Sequence, residues 1–344
     1  MNNSGLRAMD IALATEARAM YAHLLTQEDK DKIASLRSPD ELVAFLGRCE
    51  AWHPASLALP AVGATIEQFS EALSRCVYDD YERLYRFAND VSRDFLIFIS
   101  YELELRAILS ALRRLSDSTV GEHEPAPAQV VRLMRNLDLE RLRTARNYED
   151  IKLAARGSLY AQVLASLELD PKTGLPNPSA AVIQLTAHFY RVLSRYLNHS
   201  YRGPAKRELL RTVSFRTDML NISYLLRLRR FGVTREEAGS LLLPVDGSLG
   251  PQTERRILEA ETDEEAMAEI RASRLGKWLT GIDAASPEQL VRAAEAAFYR
   301  KVIHGTPNLC VVDAFLTLKR NEANMLRRAF VALQYGLSPA NFML

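Results

Sequence analysis

The chain has 344 residues, with 44 basic residues against 43 acidic ones and a formal charge of +1. That length exceeds one small core and suits two or three domains, so the division has to come from internal pattern. The charge balance excludes a broad electrostatic attraction to nucleic acid or to anionic lipid, leaving only local surface patches for partners.

The first segment, "MNNSGLRAMDIALATEARAM", lacks the apolar run of a signal peptide, and the longest strongly apolar stretch, "FLIFI" at 95–99, is too short to cross a bilayer. A soluble, cytoplasmic protein is expected. Leu, Ala, Arg and Glu dominate, and nowhere do four to eight residues alternate as a strand does, so the expected class is all-α.

Three markers then recur in the same order, and a long-period repeat decides the fold. The first is a helix start. "IASLRSPDEL", "LRTARNYEDI" and "ILEAETDEEA" place Ile33, Leu142 and Ile257 five residues before Ser38, Asn147 and Thr262, each a good N-cap. An acid follows three residues after each cap, at Glu41, Asp150 and Glu265, which predicts two capping boxes and one close variant. The second is an aromatic residue opening a helix about forty residues on, at Tyr81, Tyr190 and Tyr299. The third is a helix beginning "YELELRAILSALRRL", "DMLNISYLLRLRRFG" and "EANMLRRAFVALQYG", in register at Leu105, Ile222 and Leu326. Copies two and three align without a gap through Gly232 and Gly336, where a glycine suits the residue after a helix end, and on to Thr234 and Ser338. Copy one has Leu115 instead of the glycine, so its helix is expected to end differently.

Breaks fall near "SDSTVGEHEPAPAQ" at 116–129 and "LLLPVDGSLGPQ" at 241–252. Three helical repeat domains are expected, at 1–118, 125–240 and 246–344.

Two acids interrupt apolar stripes. Glu322 lies among Phe315, Leu318, Met325 or Leu326, Ala329 and Leu333, and Asp218 holds the equivalent place between Phe215 and Ile222. Copy one has Tyr101 there. A pair of carboxylates for acid–base chemistry is one reading. The other, which the tyrosine favours, is a structural acid paired with an arginine such as Arg191 or Arg300. Basic helix ends at Arg113 and Arg114, at Arg227, Arg229 and Arg230, and at Arg327 and Arg328 are the candidate partner contacts, against the alternative of solvated helix C-termini.

No other catalytic or cofactor signature stands out. The six histidines form no HxxxH or HExxH pair, and Cys49, Cys76 and Cys310 are scattered singly, as buried free thiols of a reducing compartment would be. There is no GxxxxGK[ST] loop, since "LGKW" at 275–278 lacks its spacing, and no GxSxG elbow. No cofactor or metal is expected. "DDYE" at 79–82 offers Asp79, Asp80 and Glu82 as metal-binding acids of an all-α isoprenoid-synthase-like enzyme, but no second acidic motif accompanies them, and "NDVSRD" at 89–94 does not supply it.

With the repeats in view, the chain resembles the C-subunit family of V-type and A-type ATPases, whose eukaryotic member is known as the d subunit. The resemblance rests on "ARAMYAHLLTQEDKDKIASLRSPDELVAFL" at 17–46, on the aligned (D/E)xxNL-type helices and on the closing "NEANMLRRAFVALQYGLSP". Tyr101, Met325 and the local stretches "PAKREL" and "PNPSAA" depart from it. It implies a three-fold pseudo-symmetric funnel, without catalytic residues, on the cytoplasmic face of a membrane rotor ring. Its partners would be the proteins of the ring and the central stalk of the soluble head, and it would couple ATP hydrolysis or synthesis to proton or sodium transport. The rival readings are the isoprenoid-synthase-like enzyme and a generic helical-repeat scaffold.

Overall fold

A computed structural model describes residues 3–116, 136–230, 238–239, 242–243, 249–282, 284 and 286–342. It is 75% helical, with no strand among the described residues. After α1 (Asn3–Tyr21), one order of five elements runs three times. The first run is α2 (Gln27–Ala34), α3 (Pro39–Leu46), α4 (His53–Leu57), α5 (Ile66–Phe87) and α6 (Asp90–Ser116). The second is α7 (Leu139–Thr144), α8 (Tyr148–Ala154), α9 (Ala161–Ser166), α10 (Pro178–Ser200) and α11 (Gly203–Arg230). The third is α12 (Pro251–Glu259), α13 (Asp263–Ala272), a 3₁₀ turn at Gly276–Trp278, α14 (Pro287–Ile303) and α15 (Leu309–Gln334).

The repeat is chemical as well as topological. Ser38, Asn147 and Thr262 each accept the backbone N–H of the acid three residues on, capping α3, α8 and α13. The acid does not complete the reciprocal box with the cap residue. Glu41, Asp150 and Glu265 instead accept the N–H one residue earlier, from Arg37, Arg146 and Glu261, at 2.8–3.0 Å. Each copy thereby satisfies one more backbone donor ahead of the helix. The true reciprocal boxes are Thr26 with Asp29 and Thr65 with Gln68, which start α2 and α5. Ile33, Leu142 and Ile257 are buried, as are Leu42, Ile151 and Ala266 one turn inside the capped helices.

The tyrosine marker sits elsewhere than the sequence suggests. Tyr81, Tyr190 and Tyr299 are buried deep within α5, α10 and α14 rather than at their starts. The third marker likewise continues longer helices, since α6, α11 and α15 begin well before it. An unbroken run of helix formers gives no local signal of where a helix starts once packing supports it.

By backbone proximity the described chain falls into two units, one of residues 3–96 and 298–342 and the other of 97–116 and 136–297. In the first, α15 packs on α5: Phe330 stacks on Phe69 with centroids 4.2 Å apart, and Arg327 reaches the Ser70 carbonyl and Ser74 Oγ. Leu326, Ala329, Phe330 and Leu333 share one apolar core with Ile33, Leu42, Leu46 and Trp52. In the second, Phe98 meets Phe189 and Tyr196, Tyr160 donates to the Tyr101 carbonyl, and Phe215 meets Trp278 edge-on.

The end of α15 is fixed by its glycine. Gly336 has φ +68°, and its N–H donates to the Leu333 carbonyl while that of Leu337 donates to Ala332, which is the Schellman pattern. A Cβ there meets nothing within 4 Å, so only the left-handed backbone resists a side chain. Gly336→Ala should therefore cost about 1 kcal/mol in denaturant unfolding, the left-handed penalty of an L-residue. A loss under about 0.3 kcal/mol would mean that the turn relaxes freely. Gly232 and Thr234 of the second copy, and most of the 116–129 break, lie outside the described residues.

Candidate functional site

Several buried polar residues on the long helices bind backbone groups of other segments. Glu322 on α15 accepts the Leu25 N–H at 3.1 Å on one carboxylate oxygen and the Trp52 indole N–H at 2.6 Å on the other. Its partners are thus a backbone amide and an indole, where the sequence led us to expect an arginine. Burial pushes its carboxyl up to about 6, against the lowering effect of those two donors and of Lys30 and Lys319. Asp218 on α11 is likewise buried and accepts the Leu249 N–H at 3.1 Å.

The next polar register, three residues on, completes the pattern. Asn221 clamps Leu243 with both ends of its amide, accepting its N–H at 2.9 Å and donating to its carbonyl. In copy one the same register holds Glu104, fully buried, whose Oε1 accepts the Asn136 N–H and Nδ2 while burial raises its carboxyl. Tyr101 thus replaces the acid of copy one, but an acid reappears one turn later. Asn136, Leu249 and Leu25 all precede the short helices α7, α12 and α2, so each long helix holds the backbone that leads into one of the three runs. A chain segment outside regular structure carries unpaired amides, and a buried seam must supply their acceptors.

One turn from Glu322, Lys319 is 1% exposed, whereas the neighbouring Leu318, which the helical stripe assigned to the core, is only half-buried. Its ammonium donates to the Ala51 carbonyl at 2.6 Å, pairs with Asp80 at 3.1 Å and lies 4.0 Å from the centre of the Trp52 ring. Asp80 sits on α5, with its carboxyl raised by burial and lowered by Lys319. The second aspartate of "DDYE" is therefore committed to a lysine. Asp79 and Glu82 line an open surface cleft that also holds Glu16, Arg83, Arg86 and Phe87, and Glu82 pairs with Arg86. Among the described residues no group of three or more His, Cys, Asp or Glu side chains is placed to hold a metal. Cys49, Cys76 and Cys310 are buried free thiols, the first two pushed up to about 11 chiefly by burial.

The candidate arginines divide. Arg114 donates to the carbonyls of Leu142 and Arg143 at the end of α7. Arg229 bonds the Ala260 carbonyl and Asp263, and Arg230 pairs with Asp263 and Glu288. Arg327 bridges α15 to α5, as described above, and also reaches Asn324. Arg113 and Arg227 are exposed, and Arg328 is half-buried.

Lys319, Trp52, Glu104 and Asn221 were missed by sequence reasoning. The only signal for the last two was their common register, and for Lys319 its position three residues before an acid on the same stripe.

These observations define an all-α repeat protein whose buried polar groups fasten its own segments together. Residues 13–343 match the family model described as ATP synthase (C/AC39) subunit. The chain belongs to that family, the C-subunit family of V-type and A-type ATPases, and with it to the ion-transporting rotary motors. No curated protein sequence matches it. Among the described residues no helix is long and apolar enough to cross a membrane.

Proposed function

We propose that this chain is a non-catalytic adaptor of a rotary ATPase, joining the membrane rotor ring to the central stalk on the cytoplasmic face of the membrane. In that place it couples ATP hydrolysis or synthesis in the soluble head to proton or sodium movement. The observation that carries the reading is the family match over residues 13–343. The use of buried polar side chains supports it: a part that transmits torque needs segments that do not slip, and packed interiors transmit strain because they are close to incompressible.

On this reading the three runs form three pseudo-equivalent domains, 1–118, 125–240 and 246–344, arranged as a socket with two partner-facing ends. Asp218 and Glu322 serve as structural acids. The first partner contacts to test are Arg113 and Arg227, since Arg114, Arg229, Arg230 and Arg327 already engage their guanidinium groups inside the fold.

Removing this protein from a membrane that contains the rotary ATPase is expected to release the soluble head or to uncouple ATP hydrolysis from ion transport, while the head itself still hydrolyses ATP. Ion pumping and ATPase activity are measured on the same membranes. A complex that assembles and pumps normally without it overturns the adaptor reading.

A further inference from the structure

We propose that the tip of the α10–α11 hairpin is a docking surface for a bilayer bearing anionic headgroups, with Arg191, Arg195, Arg207 and Arg211 as its contact residues. The surface is tested on the chain alone, so its failure and that of the adaptor reading are separate results.

The charge is local. In a chain of net charge +1, residues 191–211 hold Arg191, Arg195, Arg202, Lys206, Arg207 and Arg211 against one acid, Glu208. Lys206 and Arg207 lie in "PAKREL", one of the stretches where the sequence departs from the family it resembles. The two helices are joined by Tyr201 and Arg202 alone, and Gly203, at φ +63°, supplies the left-handed residue of the turn. So short a connection gathers the basic residues of both helices at one end of the hairpin.

Arg202 and Lys206 have a structural task. Arg202 donates to the carbonyls of Asn198, His199 and Tyr201 at 2.8–2.9 Å, and Lys206 to that of Asn198 at 3.3 Å. Both close the carbonyl end of α10, where a cation is favoured. The other four are exposed and have no carboxylate partner among the described residues, and Arg191 donates to the Ala187 carbonyl of its own helix. They fall in two pairs, Arg191 with Arg195 and Arg207 with Arg211, four residues apart, so each pair shares a helix face. Copy one differs: after Tyr81, Arg83, Arg86 and Arg93 pair with Glu16, Glu82 and Asp90. Interspersed charges of both signs are enough for solubility, whereas a patch of one sign repels itself until an anion covers it.

The kind of anion follows from what the patch lacks. A protein partner needs aromatic or aliphatic anchors at the centre of the contact, and among the described residues no large exposed hydrophobic side chain lies within 188–211. A layer of anionic headgroups needs none, and holds basic side chains by charge at about fivefold in affinity for each Lys or Arg at the surface. The family is one of ion-transporting motors, which act across a bilayer and not on nucleic acid.

Co-sedimentation of the full chain with phosphatidylcholine vesicles, with and without about 30 mol % phosphatidylserine, reads the surface. The wild type is expected to bind the anionic vesicles at least about tenfold more tightly than the neutral ones, and to be released at about 1 M salt, where the screening length is about 3 Å. Arg207→Gln with Arg211→Gln should weaken binding about 25-fold, and replacing all four arginines should abolish it. Arg146→Gln with Arg156→Gln removes the same charge from exposed sites outside the hairpin and should change binding less than about threefold. All are surface substitutions, and unchanged thermal unfolding shows that each variant is folded. Equal binding to both kinds of vesicle, or an equal loss in the control variant, overturns the proposal. So does tighter binding of soluble polyglutamate or of a short DNA duplex than of the vesicles, which would assign the patch to a protein or a nucleic acid.

Discussion

Replacing Lys319 with methionine should lower the stability of the unit built on α15 by about 3 kcal/mol, the lower end of what breaking a buried ion pair costs. Methionine keeps most of the volume and the unbranched stem, so the loss isolates the ammonium. Three partners are abandoned together: the Ala51 carbonyl, the Asp80 carboxylate and the face of Trp52. Asp80 retains some solvent, with its side chain 24% exposed, which places the cost at the lower end. The transition is followed by Trp52 fluorescence in a Trp278→Phe background, because Trp278 belongs to the other unit. Adding Asp80→Leu should restore more than half of the loss, since it removes the stranded acid. A single-variant loss below about 0.5 kcal/mol, the range of surface substitutions, would show that the ammonium is not buried in solution.

Glu322→Ala should cost about 4 kcal/mol near pH 5. Two buried N–H groups, from Leu25 and the Trp52 indole, then lose their acceptors at about 1–3 kcal/mol each, and a cavity is left beside them. The cost should shrink toward pH 8. The folded carboxyl is raised from 4.5 to about 6, so its contribution is fully present below 4.5 and is lost as pH rises through 6. Alanine has no such titration, and the difference between wild type and variant should narrow by about 1 kcal/mol between pH 5 and pH 8. Denaturant unfolding at pH 5 and pH 8 checks both the size and the sign, and a difference that widens with pH refutes the assignment.

The candidate site was legible in part. The spacing of Glu322 and Asp218 on apolar stripes marked them as buried acids without any structure, because a helix of period 3.6 places those positions on the core face whatever surrounds it. Their partners were not legible. The amides of Leu25 and Leu249 belong to segments that no periodic pattern describes, and their position beside a long helix depends on how the chain returns. The arginines show the converse. Sequence placed Arg114, Arg229 and Arg327 at helix ends, where cations are favoured, yet in the fold each spans to another element.

By itself the sequence determined what is local and periodic: the all-α class, the caps at Ser38, Asn147 and Thr262, the glycine turn at Gly336 and the thrice-repeated order of elements, all of which rest on interactions within a few residues of one another. Only the tertiary structure decided which side chains meet across long separations. Lys319 is the clearest case. A lysine on an amphipathic helix is expected in solvent, and it is buried here because Asp80 and Trp52, brought from α5 and the segment before α4, supply an anion and an aromatic face that offset its dehydration. That compensation lies in residues about 240 and 270 positions away, and no window along the chain contains both sides of it.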